Sequence, residues 1–434
     1  MLSSRLPKDL SPSPFFAELE RVKASAKKDA EGGLSFIDMT VSSPVKAGLP
    51  IDLDDAVEVA RKDFGCWNPD ASGWKSARET VVEYYRERGG NFTAGQILLT
   101  ASTSEAYSVL FKTFCDPGDV ILTPMPGYPL LDTLAQLEHL ECAPYFLQFT
   151  KIKTSLRAQS AKQSIFRFVL DSDSLLAAPE KAKILLLVSP HNPTGHCVSR
   201  EEWNEAVHFC EENNLILVVD EVFGDYGFSN KASRTWQYVF GACHPGPRNK
   251  FGVNSEHLWD AGGNDLINLP ENGPKCPIFW LNGLSKAVGS PQLKLGWMAF
   301  YAPRERFEEI RAALEFVEDA YLSVSAPAQA LGMSLLPMAA TYEAQVRERL
   351  LANWQTLREA FPAKYCPEVL GGWYAVVRLG EDDEELTLRL LQEKHVLVQP
   401  GFFFDFDEDG WVVISLLQEP AQFKEAVQRM LSLD

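Results

Sequence analysis

Apolar and polar positions in this chain follow two periods. Residues 15–28 (FFAELERVKASAKK) place apolar side chains at helical spacing ahead of Gly32 and Gly33, which predicts an N-terminal helix with a glycine stop. Residues 75–90 predict a second amphipathic helix that ends at Gly89 and Gly90. A short apolar run, QILLT, then precedes small hydroxyl residues, the helical run SEAYSVLFKTF, a Pro–Gly turn at 117–118 and a second apolar run, VILT. That order is strand–helix–strand, the unit of a mainly parallel sheet.

The alternation continues. KILLLVSP (183–190), LILVVDEV (215–222), PIFWLNGLSK (277–286) and LGWMAFYAP (295–303) read as buried strands, with helices over 200–212 and 304–319. Near-continuous apolar strands between helices predict an α/β fold whose sheet is covered on both faces. After about residue 325 the texture changes to a long helical stretch (328–359), GGWYAVVRL, a helix over 384–394, strands at HVLVQ and WVVISL, and a last helix over 420–432. This predicts a smaller α+β domain. The expected division is an N-terminal segment (1–50) packed with the small domain, a large domain (51–322) and a small C-terminal domain (323–434). Residues 229–276, rich in Gly, Asn, Pro and Ser, read as a long surface excursion or a lid.

Composition narrows the function. The formal net charge of -18 argues against a nucleic-acid or anionic-membrane surface, where Lys and Arg would dominate. The eight cysteines are dispersed and form no C-x-x-C pair, which fits a reducing cytoplasm and suggests no metal site. The start, MLSSRLPKDLSPSPFF, has no apolar core of signal-peptide length, and no apolar run approaches the roughly 20 residues that span a bilayer. The expectation is a cytoplasmic protein.

Four loops follow predicted strands, the places where open α/β sheets bind ligands. They carry Ser102-Thr103-Ser104, Asn192, Asp220 and Lys286. Taken singly, each has a plainer reading: a helix N-cap, a turn asparagine, a helix cap and a solvated lysine. Their joint order is far more specific. With SPHNPTG (189–195), DEVFGDYGF (220–228), SKAVGSPQLKLGW (285–297), PGYP (126–129), SAPAQA (325–330) and PGFFF (400–404), the chain resembles fold type I, pyridoxal phosphate (PLP)-dependent enzymes of the class I/II aminotransferase family. The likeness spans nearly the whole chain.

The resemblance implies roles. Lys286 would hold PLP as a Schiff base and move the substrate proton, Asp220 would keep the pyridine nitrogen protonated, and Asn192 would donate to the 3-oxygen. Tyr128 would stack on the ring, although a packed surface tyrosine is the plainer reading. Ser102, Thr103, Ser285 and Lys294 would bind the phosphate. The resemblance also implies a homodimer whose partner subunit completes the phosphate site, near Trp67, and small-molecule amino donors and keto-acid acceptors.

The chain also departs from the family pattern. Ser102 replaces a usual Gly and Lys294 a usual Arg, so a point charge replaces a two-pronged fork. Phe223 stands where a tyrosine donates to the 3-oxygen. Val413 stands where an arginine pairs with the substrate α-carboxylate, and Ser42 replaces a glycine of the carboxylate-binding loop. Arg378 is a candidate replacement cation, with a solvated strand-end arginine as the plainer reading. The 66 residues from Asp220 to Lys286 exceed the usual spacing, and Arg234, Arg248 and Lys250 within the excess could reach the site. The leading expectation is an aminotransferase. Alternatives are another PLP reaction on the same fold (β-lyase, decarboxylase or racemase) and a non-catalytic PLP or amine sensor.

Overall fold

The computed structural model describes residues 3–29 (8 and 12 apart), 34–152, 165–228, 234–240, 270 and 273–433 (381 apart). In chain order the strands are β1 (Ile37–Asp38), β2 (Ile97–Thr100), β3 (Val120–Met125), β4 (Glu141–Ile152), β5 (Ile165–Leu170), β6 (Ala182–Val188) and β7 (Ile216–Asp220). They continue with β8 (Ile278–Gly283), β9 (Gly296–Tyr301), β10 (Tyr374–Arg378), β11 (Val396–Leu397), β12 (Gln399–Pro400) and β13 (Trp411–Ser415).

One eight-stranded sheet runs β2-β9-β8-β7-β6-β3-β4-β5. Pairings from β8 through β4 are parallel, while β2/β9, β9/β8 and β4/β5 are antiparallel. Successive residues of its strands enter two separate cores. Leu99, Leu185, Leu217 and Trp280 join one cluster, and Leu98, Ile184, Ile216 and Phe279 the other. That division is the period-two geometry of a sheet buried on both faces. Helix Thr103–Phe114 and helix Arg304–Tyr321 supply Leu110, Phe111, Phe307 and Leu314 to the second core. Helix Lys75–Arg86 supplies Val81, Tyr84 and Tyr85 to the first.

The register brings several strand ends to one edge. Thr100 pairs with Gly296 and Gly296 with Gly283, while Val188 pairs with Asp220 and Asp220 with Leu281. The loops that carry Ser102, Asn192, Lys286 and Lys294 therefore leave the sheet side by side.

A three-stranded antiparallel sheet, β10-β13-β12, lies in the C-terminal part. Beside it β1 pairs in parallel with β11, Ile37 opposite Val396. Phe15, Leu19 and Val22 of helix Pro14–Asp29 pack with Leu391 and Leu397. Both contacts tie the N-terminal segment to C-terminal elements.

The structure corrects four expectations. The single helix expected over 328–359 is two, Ala326–Leu335 and Ala339–Ala360, because Pro337 lies in a 3-10 turn between them. The expected strand HVLVQ splits into β11 and β12, which join different sheets. β7 stops at Asp220, short of the expected Val222. The start of the supposed surface excursion is packed: Thr235 and Trp236 are fully buried. Arg248 and Lys250 lie outside the described residues.

Candidate active site

A cavity of about 430 Å³ opens at the converging strand ends. Ser42, Ser102, Thr103, Tyr128, Asn192, Asp220, Phe223, Ser285, Lys286 and Lys294 all line it. Six chain segments, several of them far apart in sequence, thus meet at one site.

Lys286 sits in the short helix Leu284–Ala287, just past β8. Its Nζ lies 4.6 Å from the Trp373 ring centre and 5.4 Å from that of Phe223. Among the described residues it makes no hydrogen bond or ion pair. Burial lowers its pKa to about 8, against the opposing pull of Asp220. Its main-chain carbonyl accepts from the Tyr226 hydroxyl at 2.6 Å, which anchors the backbone that carries the amine.

Asp220 ends β7. Its Oδ2 accepts from the Tyr107 hydroxyl at 2.7 Å and its Oδ1 from the Val222 N–H at 3.0 Å. Burial raises its pKa; these two hydrogen bonds and the charge of Lys286 act in the opposite direction. The carboxylate is oriented by its neighbours without being neutralised by an ion pair.

Asn192 lies in the loop after β6. Its Oδ1 is buried with no hydrogen-bond partner among the described residues, a costly state unless a ligand supplies one. Gly195 ends that loop at φ +69°, where a Cβ would stand 2.5 Å from Val369 Cγ1, so a side chain here would displace the loop.

Ser102 caps helix Thr103–Phe114, its Oγ accepting from the Glu105 N–H at 3.2 Å. The helix N-terminus, with its unpaired N–H groups and dipole, therefore faces the cavity. Gly296 lets this turn sit directly on β9, since a Cβ there would be 3.0 Å from the Ser102 carbonyl carbon. Ser285 and Lys294, the latter in a left-handed conformation at φ +51°, complete this corner. Tyr128, 47% exposed, stands at the opening.

Two substrate candidates are not in the lining. Arg378 is ion-paired with Glu408, which makes it the strand-end arginine of the plainer reading. Val413 is fully buried in the small sheet. Arg234 does not reach the cavity either. It pairs with Asp225 in a buried cluster in which Asp225 also accepts from Arg88 Nε at 3.1 Å and the Tyr84 hydroxyl at 2.5 Å. Burial opposes the charge on Asp225, but Arg234 and Arg88 outweigh it and hold the carboxyl below its usual range. Glu343, paired with Arg88, is pushed up to about 8 by burial and by Asp225.

Sequence reasoning missed Tyr107, Tyr226, Trp373, Tyr374 and Gln399. Tyr107 was within its reach: it lies one helical turn beyond Thr103, on the same face. Among the described residues no group of three metal-ligating side chains is gathered.

The model of the family described as aminotransferase class I and II matches residues 65–430. The chain belongs to this family. As a class I and II aminotransferase it is a PLP-dependent enzyme that transfers amino groups. It is 23% identical to the glutamate–pyruvate aminotransferase AlaA of Haemophilus influenzae, an alignment covering 94% of this chain and 93% of that protein. It is 24% identical to the alanine aminotransferase of Mycobacterium tuberculosis, over 94% of this chain and 87% of the relative. An aminotransferase from Escherichia coli superposes with a TM-score of 0.74 at 19% identity, covering 99% of this chain and 97% of the other. Alanine aminotransferase from Pyrococcus furiosus superposes at 0.72 and 20%, over 97% of this chain and 98% of the other.

The donor set of this class I and II aminotransferase fits the cofactor. A half-buried amine with no partner among the described residues, an oriented carboxylate, the NH2 of an asparagine amide and a helix N-terminus beside a serine and a lysine match an aldehyde, a ring nitrogen, a ring oxygen and a phosphate.

Proposed function

We propose that this chain moves an amino group between an amino donor and a keto acid, with the cofactor attached to Lys286. When bound, the cofactor supplies an electron sink for the bonds at the donor's amino-bearing carbon. Lys286 Nζ, whose pKa burial lowers to about 8, would hold the cofactor through its aldehyde group and would carry the proton to and from the donor's amino-bearing carbon. Asp220, held by Tyr107, keeps the ring nitrogen protonated. Asn192 donates its amide to the ring oxygen. Ser102, Thr103, Ser285 and Lys294 hold the phosphate, and Tyr128 covers the ring.

The observation that carries this reading is the meeting, in one cavity, of the half-buried Lys286 amine, which has no hydrogen-bond partner among the described residues, with Asp220 and Asn192. The test is a half-reaction. Adding an amino donor to the holoenzyme is expected to shift the bound cofactor's absorbance from the visible to the near ultraviolet, and a keto acid to restore it. A lyase or decarboxylase would not accumulate the shifted form, and that outcome would refute amino transfer. The named activities of the relatives make alanine, glutamate and pyruvate the first compounds to try.

We further propose a cytoplasmic homodimer. Exposed Trp67 (80%), Phe316 (80%) and Leu322 (69%) form apolar surface that a second copy would cover. The Asp70 N–H donates to Ser323 Oγ at 3.0 Å, so the turn after Trp67 and the turn after Leu322 are joined. All described cysteines are free, the buried Cys210 and Cys276 among them, as a reducing compartment would leave them. Among the described residues no helix is long and apolar enough to cross a membrane. Sedimentation of the holoenzyme at twice the chain mass is the expected result for the dimer.

A further inference from the structure

We infer that this enzyme reads its amino donor through an uncharged subsite made by Gln399, Tyr374 and Ser42. It therefore takes amines whose amino-bearing carbon carries an uncharged polar group, a carboxamide or a hydroxymethyl, ahead of those carrying a carboxylate, and a keto-acid acceptor, whose carboxylate meets the same station, binds there only weakly. The inference rests on the proposed function, because it assigns Lys286 and Lys294 to the cofactor.

Lys286 and Lys294 are the cations among the described lining residues. With one attached to the cofactor and the other beside its phosphate, no described cation remains for a substrate anion. Arg378 is committed to Glu408 outside the lining. In the small sheet Val413 lies opposite Gln399, so both side chains point to the same face. Val413 is fully buried, while Gln399 lines the cavity. The polar group presented at that station is thus a neutral amide, and it has no hydrogen-bond partner among the described residues.

Tyr374 is 8% exposed and lines the same wall as Ser42. Burial raises its pKa, so it stays a neutral donor.

Chemistry then sets the preference. A carboxylate moved from water into a partly enclosed site without a cation loses solvation that neutral donors replace only in part. A carboxamide or hydroxyl exchanges its water hydrogen bonds for those of Gln399, whose amide both donates and accepts, at far smaller cost. The net charge of -18 adds to the disadvantage of an anion.

The test titrates holoenzyme with L-alanine, L-alaninamide and L-alaninol, each corrected for its fraction of neutral amine. Dissociation constants are read from the cofactor's visible absorbance. We expect alaninamide and alaninol to bind at least about tenfold tighter than alanine. Gln399→Ala should narrow that ratio, and Gln399→Arg should reverse it. Equal binding, a preference for alanine, or a ratio that neither variant moves would overturn the inference. A protein that retains the cofactor on Lys286 yet prefers alanine overturns this inference alone. A protein that takes up no cofactor overturns the proposed function with it.

Discussion

The two walls of the cavity differ in kind. The sheet-side wall, from Ser102 through Asn192 and Asp220 to Lys286 and Lys294, carries charge, an oriented carboxylate and an unsatisfied amide. The opposite wall, with Ser42, Tyr374, Gln399 and Phe404, is neutral among its described residues. In the proposed assignment the first wall holds the charged cofactor and the second meets the substrate. One wall can therefore keep the family's chemistry while the other changes what is recognised.

That contrast can be broken at several points. The largest effect is expected from Lys286→Ala, with a loss of at least about 10³-fold in turnover and of the cofactor's visible absorbance. Assay and spectrum together check it. Asp220→Asn keeps the shape and the Tyr107 contact but not the charge, and a loss of about 10²-fold in kcat is expected. A rate near that of the native enzyme would show that ring protonation does not depend on this carboxylate.

The lowered pKa of Lys286 gives a pH signature. Only the neutral amine attacks an aldehyde, so the rate at which cofactor-free protein takes up PLP should rise roughly fivefold from pH 7 to pH 8 and then level off. An unperturbed lysine would give a rate that still climbs beyond pH 9. Phe223→Tyr adds a donor beside Lys286, and we expect the holoenzyme's visible band to titrate at lower pH than in the native protein. The smallest effect is expected from Tyr226→Phe, which removes one hydrogen bond to the Lys286 carbonyl; a two- to fivefold fall in kcat corresponds to about 0.4–1 kcal/mol.

The charged wall is largely legible in the sequence because its residues sit in short loops at the ends of apolar runs. Asn192, Asp220 and Lys286 each follow a buried strand by a few residues at most. The contacts that position the site are not legible in that way. Tyr226 acts on Lys286 across 60 residues, and the ion pair that removes Arg378 lies 30 residues from it in sequence. Tertiary packing, not local pattern, makes those contacts. Gln399 is visible only once strand register places it opposite Val413.

The same limits apply to the fold. Buried parallel strands announce themselves as apolar runs, but in β4 only Tyr145 and Leu147 are buried and it pairs near the sheet edge with β5, so it carries no continuous signal. Pro337 could have been read as a helix break from its missing N–H donor. The packing of Thr235 and Trp236 could not, because the polar run SNKASR just before them reads as a loop.

The central claim is that Lys286 carries the cofactor, and one measurement tests it most directly. Borohydride reduction of the holoenzyme, followed by proteolysis and mass spectrometry, should find a phosphopyridoxyl group on Lys286. The same label on Lys294 or another lysine, or no label in a protein that binds and uses the cofactor, would contradict it.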